Sequence, residues 1–413
     1  GWDDNLKNIN NLLEITTDNI NYEEFRHRSF FEFLDKTNNL IIIINPNGHL
    51  FYYDINSKKY SEINSNLDEI IKKNKISEKT PFLLNEKKED RQYWLTSLGA
   101  RDIAIANVNN KKYLFTLLSV QKDKYCMNDT VYKSEIKDQT ASLEFTKVFQ
   151  EDDCSFRGPN QASSRIEILD DNYLLITQGL GQIRDTSNKE NNFSSVPVSD
   201  WPVGKLIKIN IMNGNYEVIT DGHRNPQGLT IINENEILDL SYKNETNIIY
   251  VFINFIKNTF FRSDKSNKVI LSTEHGPRGG DEINIILENK NYGWPNVSYG
   301  ISYGENISNW SKNHNNFQEP LYYFLPSIGI SELEFYNHEQ FPRWKKNLLV
   351  SSMKRGSLFR LDIDWKEKKV LGSEEIEIGC RIRDLEINNV GNIYMLCDNL
   401  DFIEISISDD DYK

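Results

Sequence analysis

Long apolar runs are missing from this sequence, and so is any excess of positive charge. No stretch approaches the roughly 20 apolar residues that a membrane-spanning helix needs. Ile248–Ile253, a markedly apolar run, has the length of a buried strand. Lys and Arg number 48 against 61 Asp and Glu, a net charge of −13. That balance argues against nucleic acid and anionic membrane surfaces as partners. Histidine is scarce, with six in 413 residues. No Cys-x-x-Cys-His run is present, which leaves the chain without a haem attachment motif. Helical periodicity is weak everywhere except "NLDEIIKKNK" at 66–75.

There are only four cysteines. Cys126 and Cys154 lie in polar, loop-like surroundings, "KYCMNDT" and "EDDCSFRG". They are expected to form a disulfide worth roughly 3 kcal/mol, with two free surface thiols as the alternative. Cys380 and Cys397 flank a hairpin and read as small core residues. The chain opens Gly1-Trp2 without an initiator Met, which predicts removal of a leader. Together these readings place the protein in a periplasm or outside the cell.

What the chain does contain is short strand-like runs broken by Asn, Gly and Asp turns. "NLIIIINPNGHLFYYDI" (39–55), "RIEILDDNYLLITQG" (165–179), "KLIKINIMNGNYEVI" (205–219), "GSLFRLDID" (356–364) and "DLEINNVGNIYMLCD" (384–398) are examples. The pattern predicts an all-β chain of hairpins. Sandwiches, barrels and propellers all satisfy it. Length favours a propeller, because a ring of four-stranded blades uses the whole chain as one domain, 1–413. Residues 1–35 read as a packed lead-in.

Four stretches carry cations among turn residues: "GHRNPQGL" (222–229), "STEHGPRGGDEINIILENKNYGWPNVSYG" (272–300), "SSMKRGSLFR" (351–360) and "CRIRDLEI" (380–387). The Gly and Pro content of 272–300 fits neither strand nor helix and predicts an ordered binding loop. Arg381 and Arg383 are two apart, so on a strand they share a face and form a fork suited to carboxylates or phosphate.

With "PSIGISELEFY" (326–336), these stretches resemble, in order, the soluble aldose sugar dehydrogenases that use pyrroloquinoline quinone (PQQ). The resemblance is good over about 160–400. It implies a six-bladed β-propeller that oxidises an aldose or related polyol by hydride transfer to PQQ, with an external electron acceptor. It implies that Arg224, Asn225 and Lys354 contact the quinone and that Arg381 and Arg383 hold its carboxylates. Main-chain carbonyls of Gly276 and Pro277 would ligate a Ca²⁺. Asp281, Glu282 and Tyr292 resemble a second Ca²⁺ site, the alternative being a turn-stabilising carboxylate pair.

Two departures stand against the match. The family's base is a His four residues before an Arg. Here Arg165 is kept, but Gln161 stands at the His position, and an amide cannot take up a proton at neutral pH. Loss of a general base costs roughly 10²–10⁴ in rate. Residues 232–266 form an insertion, and its 243–256 run is a candidate contact surface for a second copy or a surface assembly. The alternative reading is therefore a catalytically impaired binding or structural propeller.

Overall fold

The structure, a computed structural model, describes residues 13–20, 28–73, 99–123, 126–151, 163–179, 203–237, 267–301 and 310–407. The insertion beyond Ile237, with its 243–256 run, and the expected base position Gln161 lie outside the described residues. So does Cys154, and with it the expected Cys126–Cys154 pair.

The short strands form six sheets, antiparallel except where the two-residue strand Lys290–Asn291 runs parallel to Tyr216–Asp221 at the edge of blade 3, and the sheets form a six-bladed β-propeller. The innermost strand of each blade is the one that builds the centre. These strands are Phe30–Asp35 (blade 1), Gly99–Val108 (blade 2), Ile166–Ile168 (blade 3), Pro226–Asn233 (blade 4), Ile330–Tyr336 (blade 5) and Ile382–Ile387 (blade 6). Each packs on the innermost strand of the next blade, and blade 6 packs on blade 1, so the ring closes. The expected hairpins are present: Leu40–Ile44 with Leu50–Asp54, for example, and Leu206–Asn210 with Tyr216–Asp221. Segment 356–364 is one strand, Ser357–Asp364, whose hairpin turn lies beyond it. The helix predicted at 66–75 spans Leu67–Lys73 and buries Leu67 and Ile71.

The expected lead-in supplies two strands to the ring. Phe30–Asp35 opens blade 1. Leu13–Asn19 pairs antiparallel with Asp401–Ile407 and completes blade 6 from the other end of the chain. This pairing fastens the two ends of the described chain to each other.

The core lies between blades, where β-branched and aromatic faces interdigitate. Blades 1 and 2 share Ile42, Ile44, Leu114 and Leu118. Blades 4 and 5 share Leu271, Ile283, Leu333 and Val350. Burial at roughly 25 cal/mol per Å² of apolar surface is the main favourable term in such packing. The polar groups left over are carried by the inner strands, and these face the central channel.

Candidate functional site

The inner strands of four blades share one local irregularity near their start. The pairing register slips between Ala100 and Asp102 in blade 2 and between Pro226 and Gly228 in blade 4. It slips between Ile330 and Leu333 in blade 5 and between Ile382 and Asp384 in blade 6. Such bulges bend a strand and re-aim its side chains. The residues they displace include Arg101, Gln227 and Arg383, and all three line a cavity of about 170 Å³.

That cavity is edged by all six blades. Arg28, Phe30 and Pro46 come from blade 1, and Ala100 and Arg101 from blade 2. Gly99 has φ +115, and a Cβ there would meet the Pro46 carbonyl, so only glycine allows the close seam that carries Arg101 to the rim. Blades 3, 4 and 5 contribute Ser163, Ser164, Asn225, Gln227, His275 and Met353. Blade 6 contributes Arg381 and Arg383. Arg165 makes the floor. Five guanidiniums therefore face the space, and none of the described lining residues is Asp or Glu.

Arg165 is 2% exposed and spans the channel. Its Nη1 lies 3.2 Å from Asp102 Oδ1 in blade 2 and its Nη2 2.8 Å from Asp384 Oδ1 in blade 6. Nη2 also pairs with Glu332 of blade 5, and Nε donates to the Gln227 carbonyl of blade 4 at 2.8 Å. The Phe30 ring of blade 1 lies 4.8 Å away. Burial works against the charge, but Asp384, Glu332 and Asp102 hold this guanidinium well above its ordinary pKa. One cation cannot balance three buried anions. Burial accordingly raises Glu332 and pushes Asp102 up to about 7. Arg165, expected at the catalytic centre, is thus the tie that joins the other blades beneath it.

The blade 6 fork has a different construction from the one expected. Strand alternation does not align Arg381 and Arg383, because the bulge intervenes. Asp398 aligns them instead. It accepts from Arg381 Nε at 3.2 Å, and from Arg383 Nε and Nη2 at 2.8 Å each. Its own N–H donates to the Arg381 carbonyl at 2.9 Å. Burial raises the Asp398 carboxyl, but the two arginines outweigh that and hold it below its usual value. The trio carries a net charge of +1. Cys380 and Cys397, which the sequence reads as small core residues with their pairing left open, are disulfide-bonded with Cα atoms 6.0 Å apart. The bond immediately precedes Arg381 on one strand and Asp398 on the other, so it fixes the base of the fork.

His275 and Asn225 form the opposite wall. His275 Nε2–H donates to the Ile330 carbonyl at 2.7 Å, which leaves Nδ1 to accept from Asn225 Nδ2 at 3.3 Å. Burial, with Arg224 and Arg383 nearby, holds the ring below its ordinary pKa against the pull of Asp281. Its neutral form with a fixed tautomer follows. Ser163 and Gln227 extend this wall, Ser163 Oγ bonding Asn225 Oδ1 at 2.5 Å and receiving Gln227 Nε2 at 2.8 Å.

Other expected ligands stand elsewhere. Arg224 turns behind His275, where Nη1 donates to the carbonyls of His275 (3.0 Å) and Gly276 (2.9 Å). Its guanidinium lies 5.1 Å from the Trp294 ring. Lys354 is exposed on the loop beside Gly329 and outside the cavity lining. Asp281 and Glu282 are neighbours on a strand, so their side chains leave opposite faces. Asp281 accepts from Ser327 Oγ and the N–H groups of Gly276, Gly329 and Ile330. Glu282 faces Asn284 and Glu274, and burial raises its pKa. Tyr292 uses its hydroxyl on Ile285 and Leu287 and stacks on His223. Glu282 and Tyr292 line one small cavity with Glu274, and Asp281 turns away from it. Among the described residues no group of three or more His, Cys, Asp or Glu is arranged to hold a metal. The Gly276 carbonyl, expected to ligate Ca²⁺, already faces the Arg224 cation. The donor set as it stands does not fit a divalent ion. Pro277 is buried in the same turn.

Arg28, Arg101, Ser163 and Gln227 were not anticipated from sequence. A signal for Arg101 was present: "ARDIAI" (100–105) repeats the form of "IRDLEI" (382–387).

Comparison with known proteins adds the following. Residues 82–242 and 260–402 match the profile of the family described as Glucose / Sorbosone dehydrogenase. The aldose sugar dehydrogenase YliI of Escherichia coli (strain K12) is 35% identical over 134 residues, 30% of this chain and 34% of that protein. Quinoprotein glucose dehydrogenase B of Acinetobacter calcoaceticus is 24% identical over 225 residues, 39% of this chain and 40% of that one. The matched region thus spans about a third of the first relative's length. The apo-form crystal structure of the soluble E. coli aldose sugar dehydrogenase superposes with TM-score 0.65 at 20% identity, covering 96% of this chain and 99% of that one. A crystal structure of glucose dehydrogenase gives 0.64 at 23%, covering 95% and 99%. At these identities the likeness is one of fold.

Proposed function

The chain belongs to the glucose / sorbosone dehydrogenase family, and from that premise we propose that its cavity binds PQQ and oxidises a sugar there. The observation that carries this reading is a cavity faced by five guanidiniums with no carboxylate among its described lining residues. A tricarboxylate is the kind of guest such a wall accommodates. Arg383 and Arg381, pre-aligned by Asp398, hold carboxylates from blade 6. Asn225 and the neutral His275 offer the polar wall across from them. When bound, the quinone supplies the acceptor for the hydride that leaves the sugar carbon. The hydroxyl proton must go to a group of the chain or to water, and Gln161 cannot take it. An external acceptor receives the electrons. Ca²⁺ enters no step here, because Arg224 already faces the Gly276 carbonyl. The Cys380–Cys397 disulfide favours an oxidising compartment, a periplasm or the exterior.

A second reading, a propeller that binds the quinone without turnover, is favoured by Gln161 alone. One experiment separates the two. Purified protein is mixed with PQQ, with and without Ca²⁺, and the quinone absorbance and a redox dye are followed across a sugar panel. Binding with dye reduction supports the dehydrogenase, and binding without it supports the second reading. Absence of binding sinks both. If only the base is missing, Gln161→His raises dye reduction by roughly 10²-fold or more.

A further inference from the structure

We infer that the groove between blades 4 and 5, on the outer part of the propeller, is a carbohydrate site of its own, which takes a neutral oligosaccharide with one sugar ring seated on Tyr323. The groove shares no described lining residue with the central cavity, so this site stands apart from the quinone reading above.

The groove follows from unequal strand lengths. Blade 4 ends in a strand of three residues, Tyr322–Phe324, and blade 5 in one of nine, Lys369–Glu377. Residues directly opposed across an antiparallel pair share a face of the sheet. Ser373 and Glu375 lie opposite Leu361 and Phe359, so they stand on the face that packs against blade 4. Polar side chains there continue a seam that is otherwise apolar. Phe324 and Phe359, edge to face at 5.3 Å, belong both to that seam and to the wall of a cavity of about 880 Å³. The central cavity, at about 170 Å³, is far smaller. The larger volume lies in the range of pockets that enclose drug-sized ligands.

Two features of the wall specify the guest. The first is a stack of three rings. Buried His314 lies 4.9 Å from Tyr299 with ring planes 19° apart, and Tyr299 lies 3.8 Å from Tyr323 with planes 4° apart. The Tyr299 hydroxyl donates to Glu319 at 2.7 Å, which fixes the middle ring. Tyr323 ends the stack, 38% exposed and lining the cavity. The second feature is a set of polar groups that balance one another. Arg355 donates to Glu375 through Nε and Nη2, both at 3.1 Å, and Ser357 Oγ donates to the same carboxylate at 2.8 Å. Arg355 is the one cation among the described lining residues. An anionic guest therefore meets no cation without a carboxylate already on it. A sugar ring suits both features. Its C–H face is attracted by the negative face of an aromatic ring. Its hydroxyls both donate and accept, so they add to carboxylate oxygens and guanidinium N–H groups that are already paired. A lone hexose is smaller than the ligands such volumes hold, which makes an oligosaccharide the better match.

The test is calorimetric titration of the full chain, without quinone, with glucose and four tetrasaccharides: maltotetraose, cellotetraose, xylotetraose and chitotetraose. Tetramethylammonium is titrated beside them as a cation that prefers aromatic faces. At least one tetrasaccharide is expected to bind with Kd of about 1 mM or tighter, and about 10-fold tighter than glucose. Saturation-transfer NMR of that sugar shows its largest transfer at ring C–H protons. Tyr323→Ala weakens the binding at least about 10-fold, the scale of one aromatic contact. Tyr323→Phe, which keeps the ring, retains it, and Asn225→Ala, in the central cavity, leaves it unchanged. A thermal melt confirms that each variant is folded, and Tyr323→Leu, apolar but without a ring face, carries the test if the Ala variant is not. Absence of saturable binding by all four tetrasaccharides overturns the inference. So does glucose binding as tightly as every one of them, tighter binding of tetramethylammonium than of any sugar, or tetrasaccharide binding that survives loss of the Tyr323 ring. PQQ enters none of these titrations, so failure of the quinone reading is distinguished from failure here.

Discussion

The two ends of the central channel are built from the same six strands and carry opposite charge. At the mouth stand Arg28, Arg101, Arg381 and Arg383 above the Arg165 floor. Two residues beyond Arg165, Glu332 and Asp384 along their strands stand Glu167, Glu334 and Glu386, on blades 3, 5 and 6, and blade 1 adds Glu32. Their pKa values are raised, first by burial and then by one another, with Lys36 opposing in part. Lys36 reaches Glu386 at 3.4 Å. The contrast teaches how a propeller makes a site. Strand alternation brings every second residue of each blade to the axis, so successive steps along the strands lead from a cationic layer to an acidic one. Arg165, with its three carboxylates, is the layer between them.

The largest break in this arrangement is expected from Arg165→Met. Removing one partner of a buried ionic cluster costs about 3–5 kcal/mol, here because Asp102, Glu332 and Asp384 are left without their shared cation. Urea unfolding of the variant reads the loss. The loss should shrink as the pH falls towards 5, since protonation relieves Asp102 and Glu332; a deficit that stays the same at pH 5 and pH 8 contradicts the shared-cation account.

The mouth is sharpened next by removing its covalent brace. The Cys380–Cys397 bond closes a loop of sequence separation 17, for which about 3 kcal/mol is the usual stabilisation. The Cys380→Ser, Cys397→Ser double variant should lose stability on that scale and bind PQQ more weakly, because Arg381 and Asp398 follow the two cysteines directly. If stability falls and PQQ affinity holds, the brace serves the blade alone. Asp398→Asn separates the two effects further. It removes the carboxylate that aligns both arginines, and a loss of PQQ affinity of about 10-fold is expected. Tighter binding, from relief of the competing anion, would show that Asp398 restrains the fork and does not serve it.

How much of this was legible in the sequence follows from what each signal depends on. The hairpins were readable because alternation and Asn/Gly turns are local. The six-bladed ring came through resemblance, since blade count depends on closure between distant strands. Arg381, Arg383 and Asn225, singled out through the resemblance, line the cavity. The reason offered for the arginine fork was incomplete, because a bulge and Asp398 do what strand alternation was expected to do. Arg224 turns behind His275, and Asp281 turns to a different environment from Glu282 and Tyr292, for one cause. Their motif identifies the loop, but hydrogen bonding within the loop decides where each side chain turns. Arg101 went unnoticed because its meaning lies in a repeat between blades 2 and 6 that only the register reveals.

The acidic end offers the smallest effect and a clean sign. Glu32, Glu167, Glu334 and Glu386 have folded pKa values above their unfolded ones, so their contribution favours folding below the unfolded value near 4.3. It is lost as the pH rises through the folded values, because the unfolded chain then ionises more freely. Carboxylates held low in the folded state, such as Asp398 and Glu274, work the other way and lose their contribution in acid. Stability should therefore peak on the mildly acidic side, with a melting temperature a few degrees higher near pH 5.5 than near pH 8. Three of the four carboxyls are only half-buried along the channel, so solvent screens part of the repulsion and the effect stays small. Glu334→Gln removes one ionisable member while keeping its shape. It should raise the melting temperature at pH 8, leave it nearly unchanged at pH 5.5, and leave PQQ affinity alone. A melting temperature lowered at pH 8 would mean that Lys36 depends on Glu334 more than the carboxyls repel one another, and the acidic layer would then be a salt-bridged ring.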